Sequence, residues 1–390
     1  MHRRNWGSLA LMLVALPVVA QQSGAIVGKV LGKDGKALAG VRVEAAGNTL
    51  PQPRRVVSSE TGDYRLAFLP PGDYVLTFTH PSKGTEKRTA VVALQQNTGV
   101  NVTMAEAAAM GATVEVTAQA SLVDVSSAEL KTSISSEVIG SLPVGHDYRD
   151  LIKLIPGVQF SPDAVRAPSA GGSGQDNVHM FDGVNVNLPL FGTMSAEPSS
   201  HDIDQIAIVK GGADATGFNR SAGYAINSIS KSGTNTFTGE LSYQSMPSYW
   251  VDQRTSISAA QYEQSLTYQS ASVGGPIVKE KLFFFASIYR PETSRSNSSN
   301  LYGVVPNYQN IRNEFFGKLT YAPTSTLLIH GSYRASDRKW SAYGVGTSST
   351  AASVTSGGKT TMEIATIEAS WNITPSSFLN FKPDYRRPSA

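Results

Sequence analysis

The 390-residue chain has no cysteine. That excludes disulfides, thiolate nucleophiles and thiolate-held metals, and it is compatible with passage through an oxidising compartment. Long hydrophobic runs are missing too. The apolar stretch from Leu9 to Val19 covers about eleven residues, whereas a helix needs about 20 to cross a bilayer, and no later segment is more apolar. Only a β-barrel could place this chain in a membrane. Charge is scarce, at 16% of residues against an average of about a quarter, and the net +3 is scattered over what reads as a solvated surface, too small to argue for nucleic acid, so no nucleic-acid partner is expected. Catalytic signatures are absent: there is no Walker A, H-E-x-x-H, G-x-S-x-G or EF-hand pattern. His80, His146, His179, His201 and His330 are isolated, without i,i+4 partners. Asp176 and Asp182 are the candidates for holding a cation, while Asp202 and Asp204 read as residues that cap or solvate a loop. No catalytic residue, metal or cofactor is expected, so the chain reads as no enzyme.

What is present begins with a secretory pattern. His2, Arg3 and Arg4 precede the apolar run, and Val18 and Ala20 place small residues at a cleavage site, so residues 1–20 read as a signal peptide cut after Ala20. Residues 22–104 then alternate short strand patterns with turn chemistry. "GAIVGKV" is followed by the turn "GKDGKA", and "GDYRLAFL" by "PPG" and "DYVLTFTH". Val75, Thr77 and Thr79 alternate with Leu76 and Phe78, a period of two that predicts a small antiparallel sandwich. The turn Asp34-Gly35, the pair Gly40-Val41 and "TGDYRLAFLPPGDYVL" (61–76) make it resemble the carboxypeptidase regulatory-like domain, with a transthyretin-like fold. That resemblance brings no catalytic residues with it.

Residues 105–120 form an Ala-rich connector ending in "TVEVTA", Thr113, Val114, Glu115, Val116, Thr117 and Ala118. Alone, this segment reads either as an ordinary edge strand or as a peptide that pairs with a partner's sheet edge, since it is Pro-free and β-prone. Over 121–234 the pieces are mixed. Leu151, Ile152, Leu154 and Ile155 predict a short helix stopped by Pro156-Gly157, "HMFDGVNVN" a strand turning at Asp182-Gly183, and "IDQIAIVKGG" a strand. The stretches 169–177 and 188–193 read as loops. From Asn235 onward the pattern becomes repeated alternation. Leu241 and Tyr243 oppose Glu240, Ser242 and Gln244. Phe315, Leu319 and Tyr321 oppose Glu314, Lys318 and Thr320. Leu327, Ile329 and Tyr333 oppose His330, Ser332 and Arg334, and Ala365, Ile367, Ala369 and Trp371 oppose Thr366, Glu368, Ser370 and Asn372. Segments of about ten residues with aromatics near their ends fit strands with one lipid-facing side and one polar side. "KLFFFASIYR" is more continuously apolar, as if its inner face were covered.

The phrases "LPVGHDYRDLIKLIPGVQF", "NVHMFDGVNVN", "DIDQIAIVKGGADATGFNRSAGYAINSISKSGTNTFTGE" and "GGPIVKEKLFFFAS" occur in this order. Together they resemble the plug and first barrel strands of TonB-dependent outer-membrane receptors of the Oar-like branch. The resemblance implies a multidomain fold: an all-β transthyretin-like sandwich, an α/β plug domain over 121–234, and the first strands of an antiparallel transmembrane β-barrel over 235–390. It further implies that Thr113 to Ala118 are the TonB box, that the periplasmic TonB energy-coupling protein and outer-membrane lipid are partners, and that an extracellular substrate is taken up at the bacterial outer membrane. A surface adhesion or structural protein is the alternative, and a peptidase-associated module would require a catalytic constellation that the sequence lacks. About 155 residues follow Asn235, enough for seven or eight strands, whereas plugged transporters close with about 22. The C-terminal "FKPDYRRPSA" also lacks a closing aromatic. The expectation is therefore a fragment or truncated product.

Overall fold

The structure is a computed structural model that describes residues 23–104, 130–141, 148–158, 174–188, 199–210, 223–250, 264–297, 303–343, 356–374 and 377–387. The expected signal peptide and Thr113 to Ala118 lie outside these residues, as does most of the two predicted loops.

The first unit has eight strands: β1 (Gly24–Gly32), β2 (Arg42–Ala46), β3 (Arg54–Val57), β4 (Asp63–Leu69), β5 (Gly72–His80), β6 (Gly84–Val92), β7 (Asn97–Gly99) and β8 (Val102–Met104). One sheet has the order β4-β1-β7, with β8 also on β1, and the other has the order β3-β2-β5-β6. The period of two holds: Tyr74, Leu76 and Phe78 of β5 are buried, while Val75 faces outward. They meet Ile26, Val30 and Leu66 of the other sheet in one apolar core, so this is a sandwich. β4 carries a bulge, since Gly24 pairs with Leu69 and Ile26 with Leu66, and Phe68 within it has φ 56.

The second unit is a five-stranded sheet of order β11-β10-β13-β12-β9. Its strands are β9 (Leu130–Ser135), β10 (Val178–Phe181), β11 (Val184–Asn185), β12 (Ile203–Lys210) and β13 (Tyr224–Ser230), and one short helix, α1 (Ser136–Ser141), follows β9. The Asp182-Gly183 turn forms as predicted. Both residues have positive φ, 46 and 72, the geometry that matches a two-residue turn to the twist of its strands. The helix predicted before Pro156 is a 3-10 segment, Tyr148–Leu154, with Leu151, Ile152 and Ile155 buried. β13 is buried at every position because it lies inside the sheet with both faces covered.

The third unit is an antiparallel eight-stranded sheet, β14 (Thr238–Met246), β15 (Gln264–Val278), β16 (Leu282–Arg295), β17 (Tyr308–Thr324), β18 (Leu327–Tyr343), β19 (Ser356–Thr374), β20 (Ser377–Phe381) and β21 (Asp384–Arg387). Neighbours in sequence are neighbours in space as far as β20, and β21 returns to pair with β19. The predicted alternation is present on β17, β18 and β19, whereas β14 departs from it: Glu240 and Gln244 are exposed like Leu241 and Tyr243. Phe315, Leu319, Tyr333, Ile367 and Trp371 are exposed on one face, whereas Glu314, Lys318, Arg334, Thr366, Glu368 and Ser370 are buried on the other. Strands β15 to β19 run to 14–19 residues, longer than the expected ten. They continue past the apolar band, where outward positions become polar: Arg290, Asn313 and Asp337 follow Ile288, Phe315 and Ala335 or precede them in the pairing register. The inner face of β16 is covered as anticipated, with Phe283, Phe285, Ser287 and Tyr289 buried.

Candidate functional site

Charged residues on the inner face of the long sheet must find partners under cover, either within the sheet, as Glu368 does with Lys382, or on the second unit. Period-two geometry sends Glu314 of β17 and Arg334 of β18 inward whenever Phe315 and Tyr333 point out. A buried charge unaccompanied by a partner is costly, so the fold must provide one. It does so at Asp202, in the loop leading into β12. Arg334 donates from Nη2 to Asp202 Oδ2 at 2.7 Å and from Nη1 to Glu314 Oε1, and all three side chains are 1% exposed. The backbone N–H of Ser199 donates to the same Glu314 oxygen at 3.2 Å, and the Ser287 hydroxyl to Asp202 Oδ2 at 3.3 Å. The guanidinium lies 4.0 Å from the ring centroid of Phe181 and 4.7 Å from that of Phe316, one ring from each unit.

A second junction lies further along the seam. Asp182, held at positive φ, accepts from the Ser230 N–H at 2.9 Å and from its hydroxyl at 2.8 Å, and Ser332 of β18 donates to it at 3.4 Å. Lys318 of β17 reaches across to donate to the Ser230 carbonyl at 3.1 Å. His201 stacks on Tyr289 of β16 at 5.1 Å. Burial lowers its pKa, with the Arg334 and Lys231 charges adding to the effect and Asp202 opposing it, so the ring is neutral at pH 7. The polar contacts flank an apolar patch in which Phe285, Phe316, Met362 and Ile364 of the sheet pack with Ile134, Leu151, Ile206 and Ile226.

These contacts revise three expectations. Asp202 neither caps nor solvates a loop but pairs with an arginine 132 positions away. Asp182 is engaged by hydroxyl and amide donors, and no cluster of three or more metal-ligating side chains occurs among the described residues. Asp204 is held among Lys318, Lys231 and Ser136, and its pKa is raised, chiefly by burial. Glu314 and Arg334 were legible as inward-facing polar positions. Their partner was not, because alternation assigns a side chain to a face and says nothing of what covers it.

Comparison with known proteins fits this geometry. Residues 25–105 match the carboxypeptidase regulatory-like domain, which is the sandwich. The "TonB-dependent transporter Oar" of Myxococcus xanthus is 30% identical over 292 residues, covering 70% of this chain. The chain is an Oar-like relative of the TonB-dependent transporters. It spans about a quarter of that relative's length, 27%. Two mutant structures of the ferric enterobactin receptor of Pseudomonas aeruginosa, both in complex with enterobactin, share its fold at a TM-score of 0.50. One is 16% identical and covers 66% of this chain and 40% of its own; for the other the figures are 17%, 67% and 41%. The second unit is therefore the plug and the third the opening strands of the barrel wall.

Proposed function

We propose that this chain forms the periplasmic sandwich, plug and first wall strands of a TonB-dependent outer-membrane receptor that takes up an extracellular substrate. One observation carries the reading: the wall has an apolar outer face, and its charged inner face is matched by Asp202 and Asp182 of the plug. A wide lumen would otherwise be an open aqueous channel, so it needs a stopper, and a polar seam suits one that must move. Buried ion pairs contribute little net stability against apolar replacements but fix which groups meet. The seam therefore sets the plug's register without the cost of parting a wholly dry interface.

The outer membrane has no ATP and no ion gradient of its own, so movement of the plug draws on a periplasmic partner. Thr113 to Ala118 lie in sequence between the last sandwich strand, ending at Met104, and the first plug strand, starting at Leu130. Strand addition by the TonB protein needs free N–H and C=O groups along an extended peptide. The test is binding of the purified chain to the periplasmic C-terminal domain of TonB. Binding is expected for the wild type and lost in Val116→Pro, which removes a ladder donor, and in a deletion of 113–118. Binding unaffected by both changes, or absent from the wild type, would contradict the proposal.

A further inference from the structure

Arg54 poses a question that the receptor reading leaves unanswered. It sits on the short strand β3 of the sandwich, yet it is 2% exposed. Its guanidinium donates at 2.6 Å to the carbonyl of Thr326, in the β17–β18 turn, and at 3.5 Å to that of Ser370 on β19. Among the described residues no carboxylate pairs with it, and burial lowers its pKa to about 10. An arginine whose acceptors lie 272 and 316 positions away belongs to an interface rather than to its own domain.

Independent contacts point the same way. Gln52 donates to the Ala322 carbonyl at 3.3 Å, and Ala322 and Leu328, which flank the same turn, complete the apolar core of the sandwich. The bulge in β4 places Phe68, at a positive φ unusual for a bulky residue, with its ring 5.2 Å from that of Phe378 on β20. On the plug side, the Leu94 N–H donates to Gln205 of β12, and Leu94 packs with Ala207 and Ile229 of β12 and β13. Where the three bodies meet they enclose a cavity of about 200 Å³, lined by Thr49 and Pro71 of the sandwich, Asp204 and Lys231 of the plug, and Lys318 and His330 of the wall.

We infer that the sandwich is a latch: it clasps the β17–β18 turn and plug strands β12 and β13 together, and it must undock before the plug can rearrange. The inference rests on the plugged-receptor reading. Chain order supplies its mechanics. A pull on the stretch between Met104 and Leu130 is shared by β8, paired with β1 through three residues, and by β9, the edge strand of the plug sheet lying against β12. Traction that loads the plug loads the latch as well.

Hydrogen exchange on the full chain in detergent tests this with three proteins: wild type, Arg54→Ala and Phe378→Ala. The latch predicts that both variants exchange about tenfold faster than wild type across 322–328 and in β12 and β13, equivalent to about 1.4 kcal/mol of lost protection. Protection in β2 and β5 should stay unchanged. If Arg54→Ala also exposes β2 and β5, Phe378→Ala decides, because that side chain is on the wall and half exposed. Wild-type protection at 322–328 and in the plug of Phe378→Ala would overturn the latch. TonB binding is a separate readout, so its failure sinks the receptor reading without altering the exchange result.

Discussion

Removing the Arg334 side chain would leave the Asp202 and Glu314 carboxylates facing one another in a seam with 1% exposure. Breaking a buried pair from one side in this way typically costs about 3–5 kcal/mol. Arg334→Leu is therefore expected to lower the unfolding free energy of the detergent-solubilised chain, measured by urea titration, by that order. Adding Asp202→Asn should recover part of the loss, with a coupling of about 0.5–3 kcal/mol in the double-mutant cycle. Additive effects would mean that the two side chains do not interact. Asp204 gives a test of opposite sign. Its pKa is raised in the folded chain, chiefly by burial, so the carboxylate form costs stability above that value and the cost disappears as pH falls through it. Asp204→Asn should accordingly be the more stable protein at pH 7.5, and its advantage should shrink as pH approaches 4. An advantage independent of pH would show that burial of the charge is not the cause.

At the level of strands and turns, much was legible because the signals were local. Asp182-Gly183 demands positive φ at two successive residues, and the hairpin followed. Strict alternation on β17, β18 and β19 assigned Glu314, Arg334 and Glu368 to the covered face correctly. What escaped was anything set by a distant partner. Arg54 carried no sequence signal, because its acceptors are on elements some three hundred positions later. Strand length escaped too, since the apolar pattern stops where lipid would end while the hydrogen-bond ladder runs on. The outer face makes its own prediction. Ile367, 55% exposed at mid-strand on β19, should tolerate alanine, whereas Ile367→Arg should cost about 2–4 kcal/mol in a bilayer. Equal stability of the two variants in lipid vesicles would remove that face from the membrane.

Taken whole, the described residues form three β-rich bodies, and the contacts between them mix buried polar pairs with apolar patches. Sandwich, plug and wall meet at one end of the strands, around Thr326, Gln205 and Asp204. Everything depends on the two faces of the wall lying in different media. The chain has no cysteine, so single cysteines can be introduced and spin-labelled without background. The most direct measurement is the accessibility of labels at Ala365→Cys, Ala369→Cys, Thr366→Cys and Ser370→Cys in lipid vesicles, using oxygen, which enters the bilayer, and a nickel chelate, which stays in water. Labels at 365 and 369 should be open to oxygen and closed to nickel, while those at 366 and 370 should be closed to both beneath the plug and sandwich. Nickel access at 365 and 369, or identical behaviour at all four positions, would contradict the account.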